Sequence, residues 1–323
     1  MSIFRTLFTA AILVSHTTAK PGAYDPLAVG QKDVSSVTFD VNDKSRDRVI
    51  PIRVYLPEKE KAAPVVIFSH GLGGSRDNNP YLGNHWAKRG YVVVFVQHPG
   101  SDEGVWKGER AVNRMAAMKK AASAESFLDR TKDVPAVIDA LEQWNKEKGH
   151  TLNGRMDLEH IGMSGHSFGA VTTQAMAGEL YAGGRISYLE KRIDAAVMMS
   201  PSKPKIGDSE KAFGEITMPC LLMTGTKDNS PIGGGTAQDR LEVFPALTKA
   251  PAWQVVFDGA THMDFGQRNG VEKDSRYHRA ILALTTAFWD ANLKGDKAAM
   301  DWLKGEGAKA ELAKEDVWET NGK

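Results

Sequence analysis

Gly165-His166-Ser167-Phe168-Gly169 is the stretch of this 323-residue chain whose residue types and spacing can do chemistry. It is a G-x-S-x-G pentapeptide that follows an apolar run and precedes the helix-compatible AVTTQAMAG. A serine on a sharp strand-to-helix turn has a strained backbone, and glycines two before and two after it let neighbouring chain pass close. Ser167 Oγ would then stand clear of the sheet as a nucleophile. The Phe168 N–H, on the first helical turn, would point to where negative charge develops on an acyl substrate, with the helix dipole behind it. By chance such a pentapeptide arises in about one chain in ten of this length, so its partners have to decide the matter.

A nucleophilic serine needs a base, and the base needs an acid that orients it. Asp228 follows the apolar run 220–223 through Thr224-Gly225-Thr226-Lys227, and His262 follows 255–257 through Asp258-Gly259-Ala260-Thr261. Nucleophile, acid, base is the order expected when each sits just past the carboxyl end of a parallel strand. His262 is therefore the candidate base and Asp228 its orienting acid, with the flanking Asp258 and Asp264 as rivals. A second oxyanion donor is expected from Ser69-His70-Gly71-Leu72-Gly73-Gly74, after the run 65–68, with the Leu72 N–H as the candidate. A phosphate cradle is the other reading of those glycines, but no Lys-Ser/Thr follows as a P-loop needs. His70, His98 and His166 lack metal-ligand spacing and are expected to shape loops by hydrogen bonding; no metal site and no cofactor is expected.

The elements that must position these residues read as a doubly wound, mostly parallel α/β sheet. Residues 37–41 and 49–56 alternate apolar and polar around 42–47, which predicts an N-terminal antiparallel hairpin with one wet face. The runs 65–68, 92–96, 195–199, 220–223 and 255–257 are continuously apolar, as strands buried on both faces must be. Helices are predicted over 80–88, 127–144, 167–180, 236–247 and 274–292, the second with Phe127, Val134, Val137, Ile138, Leu141 and Trp144 along one face. No repeat or low-complexity linker divides the chain, so residues 20–323 are expected to form one domain. From about 293 the chain is charged and rich in Ala and Lys, and a short amphipathic helix with a frayed end is expected there.

Residues 1–19 read as a secretory signal: Arg5 gives the positive region, 7–14 a short apolar core, and Thr17-Thr18-Ala19 the small residues for cleavage. A secreted or periplasmic protein is expected, without stable membrane insertion. Lys and Arg number 41 against 40 Asp and Glu; cleavage after Ala19 removes Arg5 alone and leaves the two equal, so no nucleic-acid partner is implied. The basic cluster at 107–120 reads as a solvated helix face. Cys220, the single cysteine, lies in an apolar run and reads as core.

On the residues Phe68-Ser69-His70-Gly71-Leu72-Gly73, Gly165-His166-Ser167-Phe168-Gly169, Asp228 and His262, the chain resembles the serine α/β-hydrolases over about 37–292. Within them it resembles the platelet-activating-factor acetylhydrolase and dienelactone-hydrolase-like esterases. The resemblance implies an α/β-hydrolase fold, Ser167 as nucleophile, His262 as base, and the Leu72 and Phe168 amides as oxyanion hole. There are departures. Dienelactone hydrolases proper use a Cys nucleophile. The acetylhydrolases carry their acid after the preceding strand, where this chain has Ser200-Pro201-Ser202. Cutinase-type polyester hydrolases, similar in layout, place a Trp near position 202, and none is here. The expected function is a serine carboxylester hydrolase acting on a small-molecule ester. A peptidase, amidase or acyltransferase on the same triad is the alternative, and a non-catalytic binding protein of this fold predicts a broken triad. Two long connections, 99–126 with Trp106, Met115 and Met118 and Phe127 just beyond, and 201–216 with Phe213, are expected to wall the site and favour short acyl groups.

Overall fold

The computed structural model describes residues 24–59, 61–267 and 276–323; the secretory signal expected at 1–19 lies outside them. A nine-stranded sheet runs through the molecule in the order β1-β2-β4-β3-β5-β8-β9-β10-β11. β1 (Ser35–Asp43) and β2 (Arg48–Leu56) form the antiparallel hairpin, and β2 continues antiparallel onto β4 (Val92–Val96). From β4 the sheet is parallel through β3 (Ala63–Ser69), β5 (Met156–His166), β8 (Ile193–Met199), β9 (Cys220–Lys227) and β10 (Ala252–Thr261). The apolar runs are continuous because successive side chains enter different layers. Val66 and Phe68 of β3 pack into one core with Val93 and Phe95, while Val65 and Ile67 face the other with Val92, Val94 and Val96.

Helices cover both faces. α1 (Pro80–Lys88) and α9 (Arg276–Leu293) bring Leu82, Trp86, Leu284 and Phe288 to the first core. Val134, Val137, Ile138 and Leu141 of α4 (Ala124–Lys146) fill the second. α4 starts three residues ahead of the expected boundary because Ser123 Oγ caps it, accepting from the Ser126 N–H at 3.1 Å. The long connection 99–126 contains α2 (Gly104–Lys107) and α3 (Ala111–Ala121), and α3, which carries much of the basic cluster read as a solvated helix face, has no buried residue. Its packing signal is weak because its apolar side chains Val112 and Met115 are exposed. After α5 (Phe168–Ala177) a two-stranded hairpin, β6 (Leu180–Tyr181) and β7 (Ile186–Ser187), precedes β8. Beyond β8 lies the short α6 (Ser209–Phe213), and the helix expected over 236–247 is two short ones, α7 (Ala237–Arg240) and α8 (Val243–Ala246).

The C-terminal segment differs from the frayed end expected of it. α10 (Lys297–Lys304) and α11 (Glu306–Ala310) bury Ala299, Leu303 and Ala308 in the first core, and β11 (Val317–Thr320) pairs antiparallel with β10. The Trp318 indole N–H donates to the Leu303 carbonyl at 3.3 Å. A charged composition is compatible with this because an edge strand draws its order from backbone pairing and leaves one face to water. No helix among the described residues is long and apolar enough to cross a membrane.

Candidate active site

Ser167 stands between the end of β5 and the start of α5 at φ 57 and ψ −116, a strained conformation for a residue with a side chain. Its own N–H is bonded to the Met199 carbonyl of β8 at 2.9 Å, which locks the turn against the neighbouring strand. The flanking glycines are sterically required. A Cβ on Gly169 would lie 1.9 Å from the Ser69 carbonyl oxygen, and one on Gly165 would lie 2.2 Å from that of Gly169. Any side chain at 169 would push α5 away from the end of β3.

β9 and β10 deliver the other two groups. Gly225 lets them close up at their carboxyl ends, since a Cβ there would lie 2.3 Å from the Ala260 oxygen. Beyond a register shift between Phe257 and Thr261, His262 opens a 3₁₀ turn. Its Nε2 accepts from Ser167 Oγ at 2.8 Å, and its Nδ1–H donates to Asp228 Oδ1 at 2.7 Å. The rivals are occupied elsewhere: Asp264 Oδ2 accepts from the Thr261 N–H at 2.8 Å, and Asp258 Oδ1 accepts from Thr226 Oγ1 at 3.2 Å. Asp228 is buried; its carboxylate also accepts from Thr224 Oγ1 at 2.9 Å and is paired with Arg240, whose Nε lies 3.0 Å from Oδ1 and donates to the Asp228 backbone carbonyl at 2.7 Å. Burial alone would raise its pKa; the bond from His262 and the Arg240 guanidinium outweigh that and hold the carboxyl below its ordinary value.

The glycine loop after β3 runs beside the serine. A Cβ on Gly71 would lie 3.4 Å from Ser167 Cβ. The Gly73 N–H donates to the Ser101 carbonyl at 2.8 Å and the Gly74 N–H to Gly71 at 3.0 Å. Leu72, the oxyanion-donor candidate, lies just before these two bonded amides.

The other three histidines lie under and around these loops. His70 Nε2 accepts the His98 N–H at 3.0 Å, so its Nδ1 carries the proton donated to the Gly71 carbonyl at 2.7 Å. His98 receives Ser69 Oγ–H at Nε2, 2.9 Å, and donates from Nδ1 to Asp133 at 3.0 Å. His166 Nε2–H donates to the His262 carbonyl at 3.0 Å. Burial is the main reason that His98 falls to about 4 and His166 to about 3, with Arg130 near the first and His262 near the second; burial lowers His70 and His85 too.

These four groups are neutral when folded and protonate near 6.5 when unfolded, so unfolding takes up protons below that pH. Stability is full above about pH 6.5 and is lost as pH falls towards the folded values. Glu179 acts with the opposite sign: burial raises its carboxyl to about 7, so its contribution grows as pH falls. It offsets part of that loss. The melting temperature is therefore expected to drop between about pH 6.5 and 5, before most carboxylates titrate. A flat profile over that window would contradict neutral buried imidazoles.

Two residues of the site were not expected. Arg240 is 3% exposed and bonds at once to the Asp228 carboxylate and to the Ser200 and Pro201 carbonyls at 2.9 and 2.8 Å. Arg130 is fully buried beneath the Gly71–Leu72 turn. Both carried a signal, because Arg130 extends the apolar stripe of Val134, Val137 and Leu141, and Arg240 that of Val243, Phe244 and Leu247. A charge at such a position is read as solvated unless its buried partners are known. Of the side chains expected to wall the site, Trp106 donates to the Gly73 carbonyl at 2.7 Å and Met118 lies against Gly73. Phe213 does not line the site; it is fully buried with Ala212, Val243 and Leu247 in a core beneath α6 and α8. Phe127 packs on Tyr181 and Tyr188. A groove of about 940 Å³ lies between the β1–β2 turn and α4, and none of Ser167, Asp228 or His262 lines it.

The family model for X-Pro dipeptidyl-peptidase (S15 family) matches residues 47–182, from the β1–β2 hairpin through Ser167 and α5. The match stops before Asp228 and His262. Taken with the strand order and the parallel centre of the sheet, it decides the architecture. The fold is that of an α/β-hydrolase. On this α/β-hydrolase fold the serine at the elbow, bonded to a histidine that is bonded to a buried aspartate, is the constellation of a serine hydrolase. No curated protein matches the chain.

Proposed function

We propose that the protein is a serine carboxylester hydrolase acting on short-acyl esters, akin to the acetylhydrolase and dienelactone-hydrolase-like esterases. The unbroken hydrogen-bond chain from Ser167 Oγ through His262 to Asp228 carries this reading. Ser167 Oγ attacks the ester carbonyl carbon while its proton passes to His262 Nε2. The oxyanion is received by the Leu72 and Phe168 N–H groups, and Asp228 stabilises the imidazolium. Collapse breaks the bond to the alcohol oxygen, which leaves with the proton from His262. Water, deprotonated by His262, then attacks the acyl-enzyme and restores Ser167.

Short acyl groups are favoured by the near wall, where Trp106 and Met118 rest on Gly73. The family match favours a second reading, hydrolysis of an amide bond, and in particular of an X-Pro dipeptide from a peptide N-terminus. The same triad serves both reactions. kcat/KM for acetyl, butyryl, octanoyl and palmitoyl p-nitrophenyl esters, beside an Xaa-Pro p-nitroanilide, separates them. The expected result is a maximum at acetyl or butyryl and a far slower anilide. A steady rise to palmitoyl would sink the short-acyl claim, and faster cleavage of the anilide would give the peptidase reading precedence.

A further inference from the structure

We propose that Arg130 is the positioning residue of the oxyanion hole, one guanidinium that fixes both of its halves; this rests on the serine-hydrolase reading of the site. Arg130 Nη1 donates to the His70 carbonyl at 2.7 Å, two residues before Leu72. Its Nε donates to Ser101 Oγ at 2.8 Å, and the Ser101 carbonyl in turn holds the Gly73 N–H, one residue after Leu72. The Leu72 amide is thus bracketed on both sides by contacts that lead to one side chain. Cζ of the same guanidinium lies over the ring of Phe168, 4.3 Å from its centroid, and the Phe168 N–H is the other donor. A loop rich in glycine has no stiffness of its own, and two donors from separate elements must converge on one oxygen to within a few tenths of an ångström. A planar fork with five donors suits that task where a lysine would not.

The charge also has a place in the reaction. Arg130 is fully buried, and among the described residues no carboxylate forms an ion pair with it. Asp133, one turn along α4, is engaged instead by Arg46, Arg48 and His98. Burial draws the guanidinium down to about 9, which leaves it charged at neutral pH. A buried cation next to the hole, which Asp133 and Asp102 offset only through space, favours a substrate oxygen that becomes negative, and that oxygen is negative only after attack.

Arg130→Met and Arg130→Lys test the assignment, with melting temperatures recorded for each. kcat for the acetyl ester is expected to fall by about 10²-fold or more, the scale of losing one oxyanion donor, with KM within a few-fold of wild type. The deciding readout is the rate ratio between an ester and its thionoester. Sulfur is a larger and poorer acceptor, so a tight hole discriminates against it, and the ratio is expected to shrink several-fold in both variants. Partial misfolding would slow both substrates equally. If Arg130→Met does not fold, Arg130→Lys carries the test, since it keeps a charge and loses the fork. An unchanged ratio with slower turnover of both substrates would overturn the proposal and leave the triad reading intact. Failure of wild type to react with a fluorophosphonate would instead remove the serine-hydrolase reading beneath it.

Discussion

Replacing Ser167 with alanine is expected to leave a folded protein whose ester hydrolysis is lower by up to about 10⁶-fold. The turn survives the substitution because it is held by the Ser167 backbone, through the N–H to Met199 and the carbonyl that receives the Val171 N–H at 3.1 Å. Alanine suffers the same φ strain and no new clash. What disappears is the oxygen 2.8 Å from His262 Nε2, and with it the covalent route. A fluorophosphonate probe should label wild type and leave Ser167→Ala unlabelled, with matching melting curves. Labelling that persists in the variant would move the nucleophile elsewhere.

Asp228→Asn should lower kcat by about 10⁴-fold, and the surroundings of the carboxylate explain why neither amide orientation rescues it. With the Asn N–H₂ towards His262, Nδ1 must accept, and the proton moves to the nitrogen that has to receive one from Ser167. With the Asn oxygen towards His262, the tautomer is kept but the negative charge is gone. Arg240 Nη2 lies 3.2 Å from His262 Nδ1, so the imidazolium would then form beside an unopposed cation. Asp258→Asn and Asp264→Asn should cost far less, since those side chains bond to Thr226 and Thr261. A larger kcat loss from either of them would show that the orienting acid has been misassigned.

The parallel centre of the sheet was legible because strands covered on both faces leave uninterrupted apolar runs, as at Val92–Val96. Its edge was not. Val317–Thr320 is short, with one wet face, and only its pairing with β10 makes it a strand. α3 buries no residue, so no apolar stripe marks it and only its basic cluster signalled a solvated helix face.

The sequence by itself determined the turn at Ser167, because G-x-S-x-G after a strand states a local steric requirement that the Gly165 and Gly169 approaches to backbone make explicit. It also determined that Asp228 and His262 follow strands, since turn residues after apolar runs are a local signal. Only the tertiary structure decided which aspartate meets His262, because Asp228 lies 34 residues from the histidine in the chain while its rivals lie within four. The choice depends on the parallel register of β9 and β10 and on the close approach at Gly225. Only the tertiary structure, too, turned Arg130 and Arg240 from helix charges into buried clamps. A guanidinium is held inside a protein by carbonyls, hydroxyls and rings drawn from distant segments, and sequence spacing carries no record of that convergence.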